Sequence, residues 1–430
     1  MLYGKIADMD QQDAKYRTNR LFFKIHEAKY FGYITSIRKI FKTLKSRILF
    51  SLLITAALLP RQPRAQHADI HGCEWIDQDR SYFSMSVAKP GLYRIFGYQM
   101  KEAGIPIEDI PVDQYCLYYL GEEVPLLVEE DGFLKQEEHL TFYGQPYRGQ
   151  LDKFLFEHSP FHTGGSHGML NPEYSLITDT AVYFLSWKPP GQQGLRYEKI
   201  ENEIDDAGSS LPGYPHKEIR SYTEQHISPR YDAEDLVALS SFDPGEGFGS
   251  SWATEHELSF EISHPVEEDG QARLRLRLIG NGTPHRLRIR HGATELFHDS
   301  LGKYQILDTA FVLSLAKLLA KPLIRISGET GRHDRYSLAL AELTYHRRFD
   351  ADGKNQWHFQ LPARSERSHV EVQNFAESSA PPLLIDPGNR RYLIPRSQDG
   401  LIKFTLPPAS GETGYLLLAS ETALLTAPLP

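Results

Sequence analysis

The sequence predicts a mainly β fold: two to three β-sandwich or jelly-roll-like domains behind an N-terminal signal segment. Three observations carry this expectation. Aromatic residues make up 11% of the 430 residues, beside 27 Pro and 32 Gly, a composition that favours turn-rich β structure. Turn signals recur roughly every ten residues from Val87 to Tyr143, as in sandwiches and barrels. Long helical periodicities are scarce, and the chain is longer than one hydrophobic core usually serves.

Charge is unevenly spread. Residues 1–66 carry 13 Lys and Arg against four acids, which leaves 34 against 52 for the rest. A body that acidic is a poor electrostatic match for nucleic acid. In the basic start, Arg38, Lys39, Lys42, Lys45 and Arg47 precede the apolar run Ile48 to Leu59, which Pro60 closes. That succession predicts an export signal, and the run falls short of the roughly 20 apolar residues that a membrane-spanning helix needs. The expected organisation is a basic n-region and signal peptide over 1–68 and an N-terminal β domain over 69–190. An irregular connection over 191–250, a jelly-roll-like sandwich over 251–348 and a small β module over 349–430 follow. The expected location is exported, in the periplasm or at the outer-membrane surface.

Within this frame the elements follow from local pattern. Val87-Ala88-Lys89-Pro90-Gly91 is a turn into the strand LYRIF, and Gln99 to Ala103 is a helical turn stopped by Gly104, because glycine tolerates the left-handed conformation of a helix end. Gln114 to Leu120 and Val124 to Glu129 form a hairpin around Gly121, and His139 to Tyr143 is a further strand. In Thr178 to Trp187, Val182, Phe184 and Ser186 alternate with Tyr183, Leu185 and Trp187, the period of a half-buried strand that seats Trp187 in the domain core. Gly191 to Gly213 is polar and punctuated by Gly and Pro, a connection. Leu258, Phe260 and Ile262 alternate, as do Leu274, Leu276 and Leu278 against Arg273, Arg275 and Arg277, giving one apolar and one cationic face. Asn281-Gly282 is a hairpin signal before Leu287 and Ile289 resume the apolar face. Strands at Tyr304 to Leu315, Leu323 to Gly328 and Tyr336 to Arg347 complete the sandwich, with Ala316 to Ala320 as a brief helical turn. HVEVQNF, LLIDPGNRRYLIP and LIKFTL build the last module.

Residues able to carry chemistry are few. Cys73 and Cys116 are the two thiols; Cys116 stands in the strand-like run QYCLYYL, where a buried inert thiol is expected, and spacing alone does not establish a bridge between the two. His158, His162 and His167 fall within ten residues, but their spacing matches no closed metal site, so they read as a polar loop. Asp350-Ala351-Asp352-Gly353-Lys354-Asn355 starts like a calcium loop, yet Leu361 stands where the bidentate Glu belongs, which favours a hairpin turn. The Arg273, Arg275 and Arg277 stripe reads as a solvated outer face, or as a surface for anionic glycan or lipid headgroups in a stand-alone surface-binding protein. The pairs Glu129-Glu130 and Asp205-Asp206 have no separation fixed by sequence and carry no assigned acid–base role. No catalytic, metal or cofactor residue is assigned.

Four patterns in order carry a more specific signal: KPGLYRIFGYQMKEAGI, LGEEVPLLVE, LTFYGQPYRGQLDKFLF and NPEYSLITDTAVYFLSW. Together they resemble the N-terminal region of gingipain-type cysteine peptidases, in particular of the PorU-like sortases of the type IX secretion system. The resemblance spans about Trp75 to Trp187 and, more loosely, the β-rich remainder including GYLLLASETALL. It implies a signal peptide, β-rich front domains and then a caspase-like domain with a His and Cys dyad. It also implies a role in processing and attaching secreted proteins at the outer membrane, with secretion components and secreted cargo as partners. The chain departs from that pattern, because no cysteine follows Cys116. Gly165-Ser166-His167-Gly168 therefore has no downstream thiol and reads as a loop. The expectation is the family's non-catalytic front, inactive alone.

Overall fold

Cysteine 73 opens the part of the chain that the computed structural model describes. That part runs over 73–418 apart from 130, 153–155, 157–167, 205–209, 230–243, 268–269, 282–284, 332 and 377–380, together with 425–427 and 429. The expected signal segment lies outside the described residues, as do His158, His162, His167 and the Asp205-Asp206 pair. Among the described residues no helix is long and apolar enough to cross a membrane.

The first domain holds β1 (Phe83–Val87), β2 (Gly91–Phe96), helix α1 (Gly97–Glu102) and β3 (Tyr115–Tyr119). It continues through β4 (Glu122–Val124), β5 (Leu126–Leu127), β6 (His139–Gly144) and β7 (Ala181–Trp187). The predicted hairpin around Gly121 is there, and Leu120 and Gly121 both have positive φ, 49° and 85°. That is the primed two-residue turn whose twist suits an antiparallel pair. One sheet has the order β1-β7-β3-β4. Its inward residues Met85, Leu117, Tyr183 and Leu185 meet Ile95, Leu140 and Phe142 of the facing sheet in one core. Trp187 packs at the margin of this core, stacked on Phe83 with centroids 6.3 Å apart.

The stretch expected as an irregular connection carries strands of distant sheets. β8 (Glu198–Lys199) belongs to the last module, and β9 (Tyr214–Ser221) to the sandwich. β10 (Gln225–Ile227) and β11 (Gly247–Gly249) pair with each other. Their polar composition hid them, because an edge strand with one wet face needs few apolar residues.

The sandwich proper adds β12 (Glu255–Ser259), β13 (Gln271–Gly280), β14 (His285–His291) and β15 (Thr294–Leu301). β16 (Ile306–Ser314), helix α2 (Leu315–Ala320), β17 (Leu323–Gly328) and β18 (Tyr336–Arg347) complete it. Its two antiparallel sheets have the orders β16-β13-β18-β9 and β12-β17-β14-β15. Eight strands connected in that way form a jelly roll. Leu274, Leu276, Leu278, Leu287, Ile289 and Leu338 fill the space between the sheets. One correction follows: β13 and β14 lie in different sheets and do not pair. Asn281 therefore starts a crossing between sheets rather than a hairpin, since both apolar faces turn into the same core from opposite sides.

The last module is a second, smaller sandwich. It comprises β19 (Gln356–Leu361), β20 (Ser368–Val372), β21 (Leu383–Asp386) and β22 (Arg391–Leu393), then β23 (Arg396–Gln398), β24 (Leu401–Leu406) and β25 (Thr413–Leu418). Sheet β19-β25-β21-β22-β8 packs on sheet β20-β24-β23 through Trp357, Phe359, Val370, Phe404 and Tyr415. The chain then returns to the first domain: β26 (Leu425–Thr426) lies parallel to β2 in the order β26-β2-β6-β5.

Candidate functional site

Strand periodicity aims the groups of the main cleft. In β19 the burial alternates, so Trp357 and Phe359 enter the module core and His358 and Gln360 point out. In β6, Phe142 is core and Tyr143 turns away from it. In β9, His216 and Lys217 lie beside Tyr214, whose ring packs on Phe349 and Trp357. These strands come from three sheets and meet around a cleft of about 590 Å³ lined by Tyr143, Arg148, His216, Lys217, His358 and Tyr415, among others. The volume lies in the range of small-molecule sites.

The cleft is polar and held neutral. Burial pushes the His358 imidazole below its ordinary value, and Gln356 Nε2 lies 2.9 Å from His358 Nε2, an amide donor to a neutral ring. His216 falls to about 4, first through burial and then through Arg347 and Lys354. Burial raises the Tyr143 phenol. Lys217 pairs with Glu412 at 3.1 Å and Arg148 with Glu173 at 3.5 Å. No carboxylate or thiol is among the described lining residues, so the cleft suits a neutral or weakly anionic polar group. One result is expected from His216. Its folded pKa lies below the unfolded value, so the stability it supports is complete above about pH 6.5 and is lost as pH falls towards the folded value of about 4. Urea midpoints followed down this range decline in the natural protein, and His216→Asn flattens the decline.

A second cluster involves the loop that resembles a calcium site. His264 Nε2 meets Asp352 Oδ1 at 2.6 Å, and its Nδ1 lies 3.5 Å from Asp350 Oδ2. One ligand atom from each of the three residues falls within 4.8 Å of the others. The carboxylates already have partners, however: Asp350 accepts from Asn374 Nδ2 at 2.7 Å and from Asp352 N at 2.9 Å, and Asp352 pairs with Arg347. A guanidinium against one of three ligands opposes a cation there. The cluster works as a polar lock between sandwich and last module. The loop is also no hairpin turn, because β18 and β19 belong to different sheets.

The remaining predicted residues are dispersed. Cys73 is exposed and Cys116 buried, both as free thiols, and burial raises the Cys116 pKa, the opposite of an activated nucleophile. The arginine stripe is not one solvated face. Arg273 is exposed, Arg275 is bidentate on Asp308 with both contacts at 2.8 Å, and Arg277 is buried. Sequence reasoning missed His216, His264 and His358; the alternation QWHFQL was the one signal that could have placed His358 on an outward face.

No protein-family model and no curated protein matches the chain. Among solved structures it is similar to dimeric latent PorU from Porphyromonas gingivalis, with a TM-score of 0.50 and 13% identity over 82% of this chain and 33% of that one. Insecticidal delta-endotoxin Cry8Ea1 from Bacillus thuringiensis aligns with a TM-score of 0.16 and 10% identity, over 39% of this chain and 28% of that one. A β-porphyranase of glycoside hydrolase family 86 from Bacteroides plebeius gives 0.17 and 10%, over 63% and 35%; neither score carries an argument about this chain. The chain thus spans about a third of the PorU chain it matches, and over most of its own length it has a PorU-like fold.

Proposed function

We propose that the chain is the non-catalytic β-domain region of a PorU-like sortase of the type IX secretion system. It is exported and takes part in processing and attaching secreted proteins at the periplasmic or outer-membrane surface. The observation that carries this reading is the PorU-like fold over 82% of the chain, in the same molecule as the four ordered patterns between Trp75 and Trp187. The thiols agree with a non-catalytic role: Cys116 is 1% exposed on β3 and its thiolate is disfavoured.

In the producing bacterium, deletion of the segment encoding residues 73–430 is expected to leave secreted proteins of this system unprocessed and unattached. Normal processing after the deletion overturns the reading. The purified chain is expected to cleave no peptide; thiol-dependent cleavage abolished by Cys116→Ala refutes the non-catalytic assignment.

A further inference from the structure

Glycine 414 interrupts strand β25 where nothing among the described residues requires a glycine. Its φ lies outside the left-handed region, and a Cβ there would meet only Gln360 Cγ, at an ordinary 3.8 Å. Gly213, by contrast, is fixed by packing, since a Cβ on it would lie 2.3 Å from Arg347 O. Glycine inside a strand costs stability, and it commonly marks a place where another molecule approaches the backbone. Gly414 is exposed, pairs across the ladder with Gln360 of β19, and lines the cleft of about 590 Å³ together with it. Gly388, in the turn after β21, lines the same cleft, and a Cβ there would meet only Asp386 Oδ1, at 3.7 Å.

The groups around these glycines select a chemistry. Tyr143, Gln145, His216, His358 and Gln360 line the cleft, and each can both donate and accept a hydrogen bond, which is what hydroxyl groups need from their partners. The cleft's cations are Arg148 and Lys217, with no carboxylate among the described lining residues. Arg148 leans on Glu173 at 3.5 Å and Lys217 on Glu412 at 3.1 Å, and all four side chains are at least 30% exposed. Exposed pairs of this kind contribute little to stability, so an incoming carboxylate can exchange for them. A guanidinium also accommodates a carboxylate by two parallel bonds.

We infer that this cleft is a binding site for a small polyhydroxylated carboxylate. Its hydroxyls meet the Tyr, His and Gln groups, its charge meets Arg148 and Lys217, and Gly414 leaves room for its body against the sheet. The inference goes beyond the sortase reading and does not depend on it, since it rests on the lining chemistry alone.

Three probes separate the parts of this claim: gluconate carries charge and hydroxyls, sorbitol the hydroxylated chain without charge, and propionate the charge without hydroxyls. Calorimetric titration of the purified chain at constant ionic strength is expected to show saturable one-to-one binding of gluconate, tighter than that of either other probe by about tenfold or more. Arg148→Gln and Lys217→Gln each weaken gluconate binding by about tenfold, whereas Arg325→Gln, on the other sheet of the jelly roll, leaves it unchanged. Gly414→Val is expected to abolish binding while the urea midpoint stays level or rises, because a β-branched residue suits a strand. Circular dichroism of each variant reports whether the fold is kept. No saturable response to gluconate overturns the proposal, and so does equal affinity for sorbitol or propionate. Full binding by folded Gly414→Val overturns it by placing the site elsewhere, and a lowered midpoint in that variant does so by showing that the chain itself fills the space.

Discussion

Asp334→Ala is expected to destabilise the jelly-roll domain by about 3–5 kcal/mol, the range for removing a buried carboxylate and leaving its hydrogen-bond partners unpaired. Asp334 and His285 are each 1% exposed, with Nδ1 to Oδ1 at 2.9 Å. The imidazole Nε2 also meets the Asn281 carbonyl, so both ring nitrogens have a polar partner. The carboxylate also accepts from the backbone N–H groups of Glu329 at 2.8 Å, Thr330 at 2.9 Å and Arg286 at 3.3 Å. It thereby fastens the loop after β17 to the start of β14. Removing it strands a buried imidazole and several backbone donors together.

The partner substitution gives an internal control. His285→Ala leaves Asp334 with its backbone donors, so its loss in urea unfolding is expected to be the smaller of the two. Acid dependence has a definite sign. Burial alone would raise the Asp334 carboxyl, but bonds from Thr330, His285 and Glu329 hold it below the ordinary value. Its stabilisation is therefore complete above the unfolded value of about 3.9 and is lost as pH falls through the folded one. If Asp334→Ala costs no more than His285→Ala, or leaves the acid limb unchanged, the carboxylate is not the centre of this network.

Much of the fold was legible because strands write their period locally. Tyr336–Arg347 has the predicted bounds, and the helical turn predicted at Ala316 to Ala320 is α2. Strand partners were not legible. The pairing of β8 with β22, and of β26 with β2, joins residues hundreds of positions apart, and neither segment carries more than two strand residues to announce it. The same limit hid the polar clasps. Asn171, buried, donates to Ser221 Oγ and Tyr222 O at 3.0 Å each, tying the first domain to the jelly roll. In sequence it was one polar residue of NPEY. Histidines 216, 264 and 358 became a cleft and a lock only when three sheets converged, which no single segment encodes.

Arg277 shows what the convergence does to a residue that periodicity places outside. Counting by twos puts it on the polar face of β13 beside Arg273 and Arg275, and its side chain does leave that face. The chain segment just before Asn171 then covers it. Its Nε donates to Leu170 O at 2.9 Å, its Nη2 to Met169 O at 2.5 Å and its Nη1 to Asp308 Oδ2 at 2.6 Å. Burial lowers its pKa against the raising effect of Asp308. Arg277→Ala is expected to cost roughly 2–6 kcal/mol, because it leaves two buried carbonyls without donors at about 1–3 kcal/mol each. Arg277→Lys recovers only part of this, since one ammonium cannot span three acceptors that a planar fork reaches. Arg273→Ala, at the exposed end, is expected to change stability by no more than about 0.5 kcal/mol. Combining Arg277→Ala with Asp308→Ala should give less than the sum of the single losses, because the two share a bond. Equal, small losses at Arg273 and Arg277 in urea unfolding would mean that the stripe is a solvated cationic face after all, free to meet an anionic surface rather than committed to holding two domains together.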